Sequence, residues 1–199
     1  MATDAMSIRL KLNGIRVVGV VSDLEERLEV VVIGTKTVVR CPFCGFRTTK
    51  VHETKRVRIS DLPVLGAPTT LVWLRRCFSC ANCCERHTED HPSFDGSITT
   101  RLRRRIVCDA RHLSIKEISR RYPVSWWRAM EIVRSHTEIV VRHRRAKPCR
   151  VLLVDETSLR RRHRYVTVAS NGETGEALAV IKHRDQRALS SFLLSQGNR

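Results

Sequence analysis

Aromatic residues make up only 5% of this 199-residue chain, and acidic residues number 20 against 37 basic ones. No stretch approaches the ~20 consecutive apolar residues that a membrane-spanning helix needs. The opening segment, MATDAMSIRLKLNG, lacks the charged-then-apolar order of a secretory signal. Internal repeats and low-complexity tracts are absent as well. These absences point to a cytoplasmic chain without membrane contact. In that compartment the eight cysteines are read as metal ligands or buried thiols, not as a disulfide framework. The length allows one domain, or two to three small ones with thin cores.

The charge balance is lopsided. A net charge of +17 and a pI near 10.6 favour a polyanionic partner, and nucleic acid is the first to consider. Lysine supplies only seven of the 37 basic residues. The other cations are arginines, whose planar fork pairs bidentately with phosphate and guanine.

Four segments follow one another, and together they predict an α+β multidomain chain. Residues 1–40 contain two β-branched runs around SDLEER and predict a β hairpin over 15–33. Residues 41–96 hold the close-spaced cysteines, with a strand over Leu71 to Leu74. Residues 97–146 carry helical patterning, and a linker is expected around Lys147-Pro148. Within 150–199, VLLV (151–154), RYVTVAS (164–170) and EALAVIK (176–182) read as strands. The NGETG connection makes the last two antiparallel neighbours, and a helix follows over Gln186 to Ser195.

Cys41-x2-Cys44 and Cys80-x2-Cys83 form two knuckles 35 residues apart. Four thiolates at tetrahedral geometry suit Zn2+, and a closed four-sulfur shell is structural, not catalytic. Such an ion would supply folding energy that a small core lacks. Cys77-x2-Cys80 is an equally well-spaced knuckle and Cys84 adjoins Cys83, so both remain alternative ligands. His52, His87 and His91 are further potential ligands that a closed four-cysteine site does not require.

Residues 101–150 carry fifteen basic and four acidic side chains. Ser114 to Glu117 has the form of a capping box and should start a helix through Arg121. Tyr122-Pro123-Val124 interrupts it, and Ser125 can cap a helix from Trp126 to about Val141. With a preceding helix over Ile98 to His112, this predicts a helix-turn-helix. Its core is expected from Ile115, Ile118, Val124, Met130 and Val133. Trp127, Arg128, Glu131 and Arg134 are the expected groove-facing residues of the recognition helix. Arg101, Arg103, Arg104 and Arg105 are expected phosphate contacts.

The run Val151 to Val154 reads as a buried strand that delivers Asp155 at its end, with Glu156 on the opposite face. RNase H-like nucleases and transposases place their first metal-holding acid in this way.

Zinc ribbon, helix-turn-helix and strand-borne acid together resemble the ISL-three family of insertion-sequence transposases, of the DDE class. The resemblance is carried by CPFCG (41–45), Val51-His52, an Asp61-Leu62-Pro63 turn with Gly66, and Arg75-Arg76 before Cys80-x2-Cys83. It continues through EDHPSFDG (89–96), HRR (143–145) and VLLVDETSLRRRHRYVTV (151–168). It implies binding of double-stranded DNA at the element's inverted repeats, and DNA cleavage and strand transfer with Mg2+ or Mn2+ held by two aspartates and a glutamate. It also implies an incomplete RNase H-like domain over 150–199. Only the first acid maps, onto Asp155, and the other two positions fall beyond Arg199. Glu173 and Asp185 do not sit where the family's acids do. The chain is therefore expected to bind element ends at the nucleoid, as a homo-oligomer or with full-length transposase, without catalysis on its own. The alternative is a non-catalytic DNA-binding regulator or transposition inhibitor.

Overall fold

The computed structural model describes residues 10–24, 26–143, 149–160, 164–182 and 186–197. The chain divides into two compact units, residues 1–143 and 144–199. The expected linker at Lys147-Pro148 and the acid Asp185 lie outside the described residues.

The first unit is built on one mixed sheet. Strands β1 (Ile15–Leu24) and β2 (Arg27–Gly34) form the expected antiparallel hairpin. Serine, aspartate and leucine of SDLEER lie inside β1, so the reversal is tighter than the sequence suggests. The chain then forms the short hairpin β3 (Val39–Arg40) and β4 (Arg47–Thr48). Two long strands follow, β5 (Val51–Val64) and β6 (Ala67–Ser79), paired antiparallel. Three short ones complete the set: β7 (Arg86–Thr88), β8 (Phe94–Asp95) and β9 (Ile98–Thr99). The order is β1-β2-β6-β5-β9-β8, with β7 on β6. β2 runs parallel to β6, so residues 1–40 and 41–96 share one sheet and one core. That core contains Ile15, Leu28, Val30, Val32, Ile59, Leu71 and Trp73.

Two sequence expectations change here. The Asp61-Leu62-Pro63 turn is strand, and the chain reverses at Leu65-Gly66, where both residues have positive φ (52° and 88°) and match a hairpin turn's twist. β5 is not evident from hydropathy because its first half, Val51 to Arg56, is exposed on both faces and reads as a polar loop.

Three helices follow: α1 (Thr100–Asp109), α2 (Ile115–Arg121) and α3 (Trp126–His143). Each start has a local cause. The Thr99 hydroxyl accepts from Leu102 N (3.2 Å). Ser114 and Glu117 form the complete capping box. The Ser125 hydroxyl accepts from Arg128 N (3.2 Å). α1 is shorter than expected at both ends, because Ile98 pairs with the sheet and residues 110–113 form turns. The helical core is Ile98, Leu102, Ile106, Ile118, Tyr122, Ala129 and Ile132, with Ile115, Val124 and Val133 packed against it. Met130, expected inside, is 41% exposed. The inward stripe of α3 runs through positions 129, 132 and 133, which turns position 130 outward. Asp61, fully buried at the end of β5, accepts from Thr99 Oγ1 (2.7 Å) and Arg101 Nε (2.7 Å), and so ties sheet to helix.

The second unit has three antiparallel strands in the order β10-β11-β12. They are β10 (Leu152–Arg160), β11 (Arg164–Asn171) and β12 (Ala177–Lys182), followed by α4 (Gln186–Gly197). Asn171 Oδ1 accepts from the Glu173 and Thr174 amides (2.9 and 3.3 Å), which explains the NGETG turn. β10 differs from expectation. It continues to Arg160, placing Asp155 mid-strand, and Val151, Leu153 and Val154 are 47%, 55% and 44% exposed. The run is apolar without being buried, because no layer among the described residues of this unit covers it.

Candidate metal centre and nucleic-acid surface

Each zinc knuckle is a hairpin tip. The β3-β4 connection carries Cys41 and Cys44, and the β6-β7 connection carries Cys80 and Cys83. Their backbones are matched. Cys41 N donates to Phe46 O (2.9 Å) and Gly45 N to Cys41 O (2.9 Å); Cys80 N donates to Glu85 O (2.9 Å) and Cys84 N to Cys80 O (3.0 Å). Ser79 N donates to Lys50 O (3.0 Å) and Thr48 Oγ1 to Ser79 O (2.9 Å), which clamps the two tips together.

All four sulfurs lie within 4.8 Å of one another, with Cys41 to Cys83 at 3.6 Å and Cys44 to Cys80 at 3.5 Å. A tetrahedral ion with Zn–S bonds of ~2.3 Å requires edges of about 3.8 Å, so the residues fit zinc. The thiols respond to one another as a crowded donor set does. Hydrogen bonding from the Phe46 backbone, helped by the Asn82 side chain, lowers Cys44 to about 6. A backbone bond from Glu85 favours the Cys83 thiolate, yet burial and the three neighbouring sulfurs push it up to about 12. A divalent ion removes this mutual repulsion.

The geometry separates the alternative ligands. Cys84 occupies the position that Gly45 holds in the first knuckle, with φ +60° against +74°, so it shapes the turn while its thiol stays outside the cluster. Cys77 lies within β6, opposite Glu53 and Thr88. His87 stacks on Phe78 (centroids 5.7 Å apart) and His91 tilts against Phe94 (5.3 Å). Neither they nor His52 join the cluster.

Several motif residues form the scaffold under this site. Arg76 and Glu89 are a buried ion pair, with Nη2 to Oε1 at 2.5 Å and Nε to Oε2 at 3.0 Å. Arg76 Nη2 also donates to Gly34 O (3.1 Å) and Lys36 O (2.8 Å). A Cβ at Gly34 would come within 2.3 Å of Glu89 Oε1, so the pair requires glycine there. Arg75 Nε donates to Glu89 O (2.7 Å), and its guanidinium lies over Trp73 (5.2 Å). The opposite charges of Arg76 and Glu89, 13 positions apart, carry no local signal in the sequence.

The helical candidates divide. Arg101 is held by Asp61 and Leu10 O. Arg103 bonds Asp95 (2.6 Å) and Ser135 Oγ (2.8 Å). Arg105 meets Asp109 (3.0 Å) and Tyr122 Oη (3.3 Å), and the Tyr122 hydroxyl donates to Asp109 (2.5 Å). These three arginines are thus engaged in tying the fold, because each faces a carboxylate across a turn or strand end. Arg104 is exposed and has no partner among the described residues. On α3, Trp127 is 78% exposed and packs edge-on against Trp126. Glu131 and Arg134 are exposed, with Arg134 3.7 Å from Glu138. Arg128 is half-buried, 2.8 Å from Glu131, and a Cβ at Gly96 would lie 3.3 Å from its Nη2. Asp155 is exposed and its carboxylate accepts from Glu156 N (2.8 Å).

A four-cysteine ribbon joined to a basic three-helix segment defines a zinc-ribbon protein of α+β class. Residues 37–83 match the family described as the zinc-finger of transposase IS204/IS1001/IS1096/IS1165, the ISL3 zinc ribbon. The chain is similar to the transposase for insertion sequence element IS1001 of Bordetella parapertussis, at 26% identity over 161 residues covering 79% of the chain. It spans 39% of that relative's length. No solved structure matches the chain. The resemblance to ISL3-type insertion-sequence transposases is therefore found in both the ribbon and the wider chain, and the four-cysteine cluster and ribbon match support a structural zinc.

Proposed function

We propose that this chain is the DNA-end-binding portion of an insertion-sequence transposase, recognising the inverted repeats of its element in the cytoplasm at the nucleoid. One observation carries the reading: a single compact unit unites an ISL3-type zinc ribbon with three capped helices, of which α3 presents Trp127, Glu131 and Arg134 to solvent. α2, the break at Tyr122 to Val124 and α3 act as a helix-turn-helix, with the start of α3 in the major groove. Arg104 contributes phosphate contact, and Arg128, held by Glu131, contributes base contact. Segments 1–40, 41–96 and 97–146 act together as the DNA-binding part, and 150–199 is the first part of an RNase H-like domain. Its order β10-β11-β12 with antiparallel neighbours supports that assignment. Asp155 is the carboxylate this chain contributes to an Mg2+ or Mn2+ site for cleavage and strand transfer, whose other acids come from a full-length transposase; the chain itself binds DNA as a homo-oligomer or beside that partner.

A second reading has an observation of its own. Among the described residues, the four cysteines are the one cluster of three or more metal-ligating side chains. A DNA-binding regulator or transposition inhibitor is consistent with that. No helix among the described residues is long and apolar enough to cross a membrane.

The test is binding of the zinc-loaded chain to labelled inverted-repeat duplex and to scrambled duplex at ~0.15 M salt, where non-specific attraction is partly screened. A preference of about a hundredfold is expected. Arg128→Ala should remove the preference, and Arg104→Ala should weaken both duplexes alike. Equal affinity of the unmodified chain for the two duplexes overturns end recognition. With full-length transposase present, Mg2+-dependent nicking that the chain supports and its Asp155→Asn variant does not marks a transposase subunit, whereas nicking that the chain only suppresses marks a regulator.

A further inference from the structure

The first unit's sheet has two unlike faces. Val17, Val32, Trp73 and Val57 point into the core. The alternate residues form the solvent face, because strand side chains alternate. Pairing sets Arg16 beside Ile33 and Arg56 beside Leu74, while Val32 sits beside Trp73. One rung further, Arg16, Ile33, Leu74 and Arg56 cross the sheet in a row. Three strand spacings separate the two arginines, about 14 Å. In the next row Arg58 lies beside Val72, and Val72 beside Val31.

Under these rows sits Glu29, whose side chain is 7% exposed. Arg58 reaches across β6 to it, with Nη1 to Oε1 at 2.6 Å and Nη2 to Oε2 at 3.3 Å, and Arg27 closes on Oε2 from the other side. Burial raises the Glu29 pKa, but the Arg58 and Arg27 guanidiniums outweigh it and hold the carboxyl below its ordinary value. The anion therefore stays charged and fixes two arginines whose side chains remain 58% and 54% exposed. Arg16 and Arg56 are exposed and have no partner among the described residues. Two residues past Leu74 on this face Arg76 and Glu89 neutralise each other, so among the described residues Arg16, Arg27, Arg56 and Arg58 are balanced by the Glu29 carboxylate alone.

We propose that this solvent face of the sheet is a second DNA-contacting surface, on which Arg16, Arg27, Arg56 and Arg58 grip backbone phosphates of the duplex. The proposal rests on the DNA-binding reading above and adds a surface separate from α1 to α3. The unpaired forks of Arg16 and Arg56 match phosphate oxygens bidentately, while Arg27 and Arg58, held by Glu29, add positive charge and their remaining N–H groups. The half-buried Val31, Ile33 and Leu74 between them leave a flat floor without base-reading groups. The face should therefore add affinity and salt dependence without sequence preference.

The experiment compares the zinc-loaded full chain with its Arg16→Ala/Arg56→Ala double variant on scrambled duplex over a range of salt. Neither side chain has a partner among the described residues, so zinc content and Tm should be unchanged. The slope of log K against log salt should fall by about two, and affinity at low salt should drop tenfold or more. Arg16→Lys/Arg56→Lys should restore the slope, which separates lost charge from a lost fold. If the unmodified chain binds no duplex, the DNA-binding reading itself fails. If it binds and the alanine variant keeps its slope, this surface is overturned and the earlier reading stands. Loss of binding to polyglutamate with duplex binding intact would make the face an acidic-protein site and also overturn the proposal.

Discussion

The two units use their motif residues in opposite ways. In the first, Arg76, Glu89, Asp61 and Arg101 are buried or half-buried and bonded to groups far away in sequence. In the second, Asp155, Leu153 and Val154 are exposed on β10. Strings that look equally distinctive thus serve different ends. A buried charge must be paired to be tolerated, so those of the first unit specify the fold. An exposed acid on a strand costs little to keep and little to lose, so any importance of Asp155 has to come from chemistry or partners.

Substitutions sharpen that contrast. The largest effect belongs to the metal cluster. Cys41→Ser should reduce bound zinc from one ion per chain to none and unfold the ribbon, because binding of a structural zinc is worth roughly 10–16 kcal/mol. Retained metal stoichiometry would remove Cys41 from the ligand set. Glu89→Ala should come next, at a cost of about 3–5 kcal/mol in urea unfolding, since it strands the Arg76 guanidinium in a buried place. A loss below about 1 kcal/mol would mean that water reaches that pair.

Smaller and opposite in sign, Cys84→Gly should stabilise the first unit by about 0.5–1 kcal/mol. A side chain at φ +60° is strained where glycine is not, though glycine's freedom in the unfolded chain returns part of the gain. Differential scanning calorimetry with zinc content held at one per chain measures it, and a loss of zinc in this variant would make Cys84 a ligand. Asp155→Asn should change stability by less than about 0.5 kcal/mol. A larger loss would show that this acid, like those of the first unit, is structural.

Much of the helical segment was legible because its signals are local. Ser114 and Glu117, three residues apart, fix a helix start, and Ser125 fixes the next. The four cysteines were legible through spacing that chemistry demands. Met130 faces solvent because apolar periodicity leaves the direction of the α3 stripe open until Ala129 and Ile132 pack against the other helices. The charge run predicts phosphate contacts at Arg101, Arg103 and Arg105 but carries no sign of their internal partners, because Asp61, Asp95 and Tyr122 are brought to them only by folding.

The sequence by itself determined the basic charge, the two knuckles, the capped helices, the first hairpin and the one at NGETG, since each depends on residues a few positions apart. Tertiary structure decided which of several cysteines meet, which arginines stay free for an anion, and that residues 15–34 join the ribbon strands in one sheet. These depend on pairings across tens of residues. A buried carboxylate such as Glu29 or Asp61 selects its partner by position in space, and nothing local in the sequence records that choice.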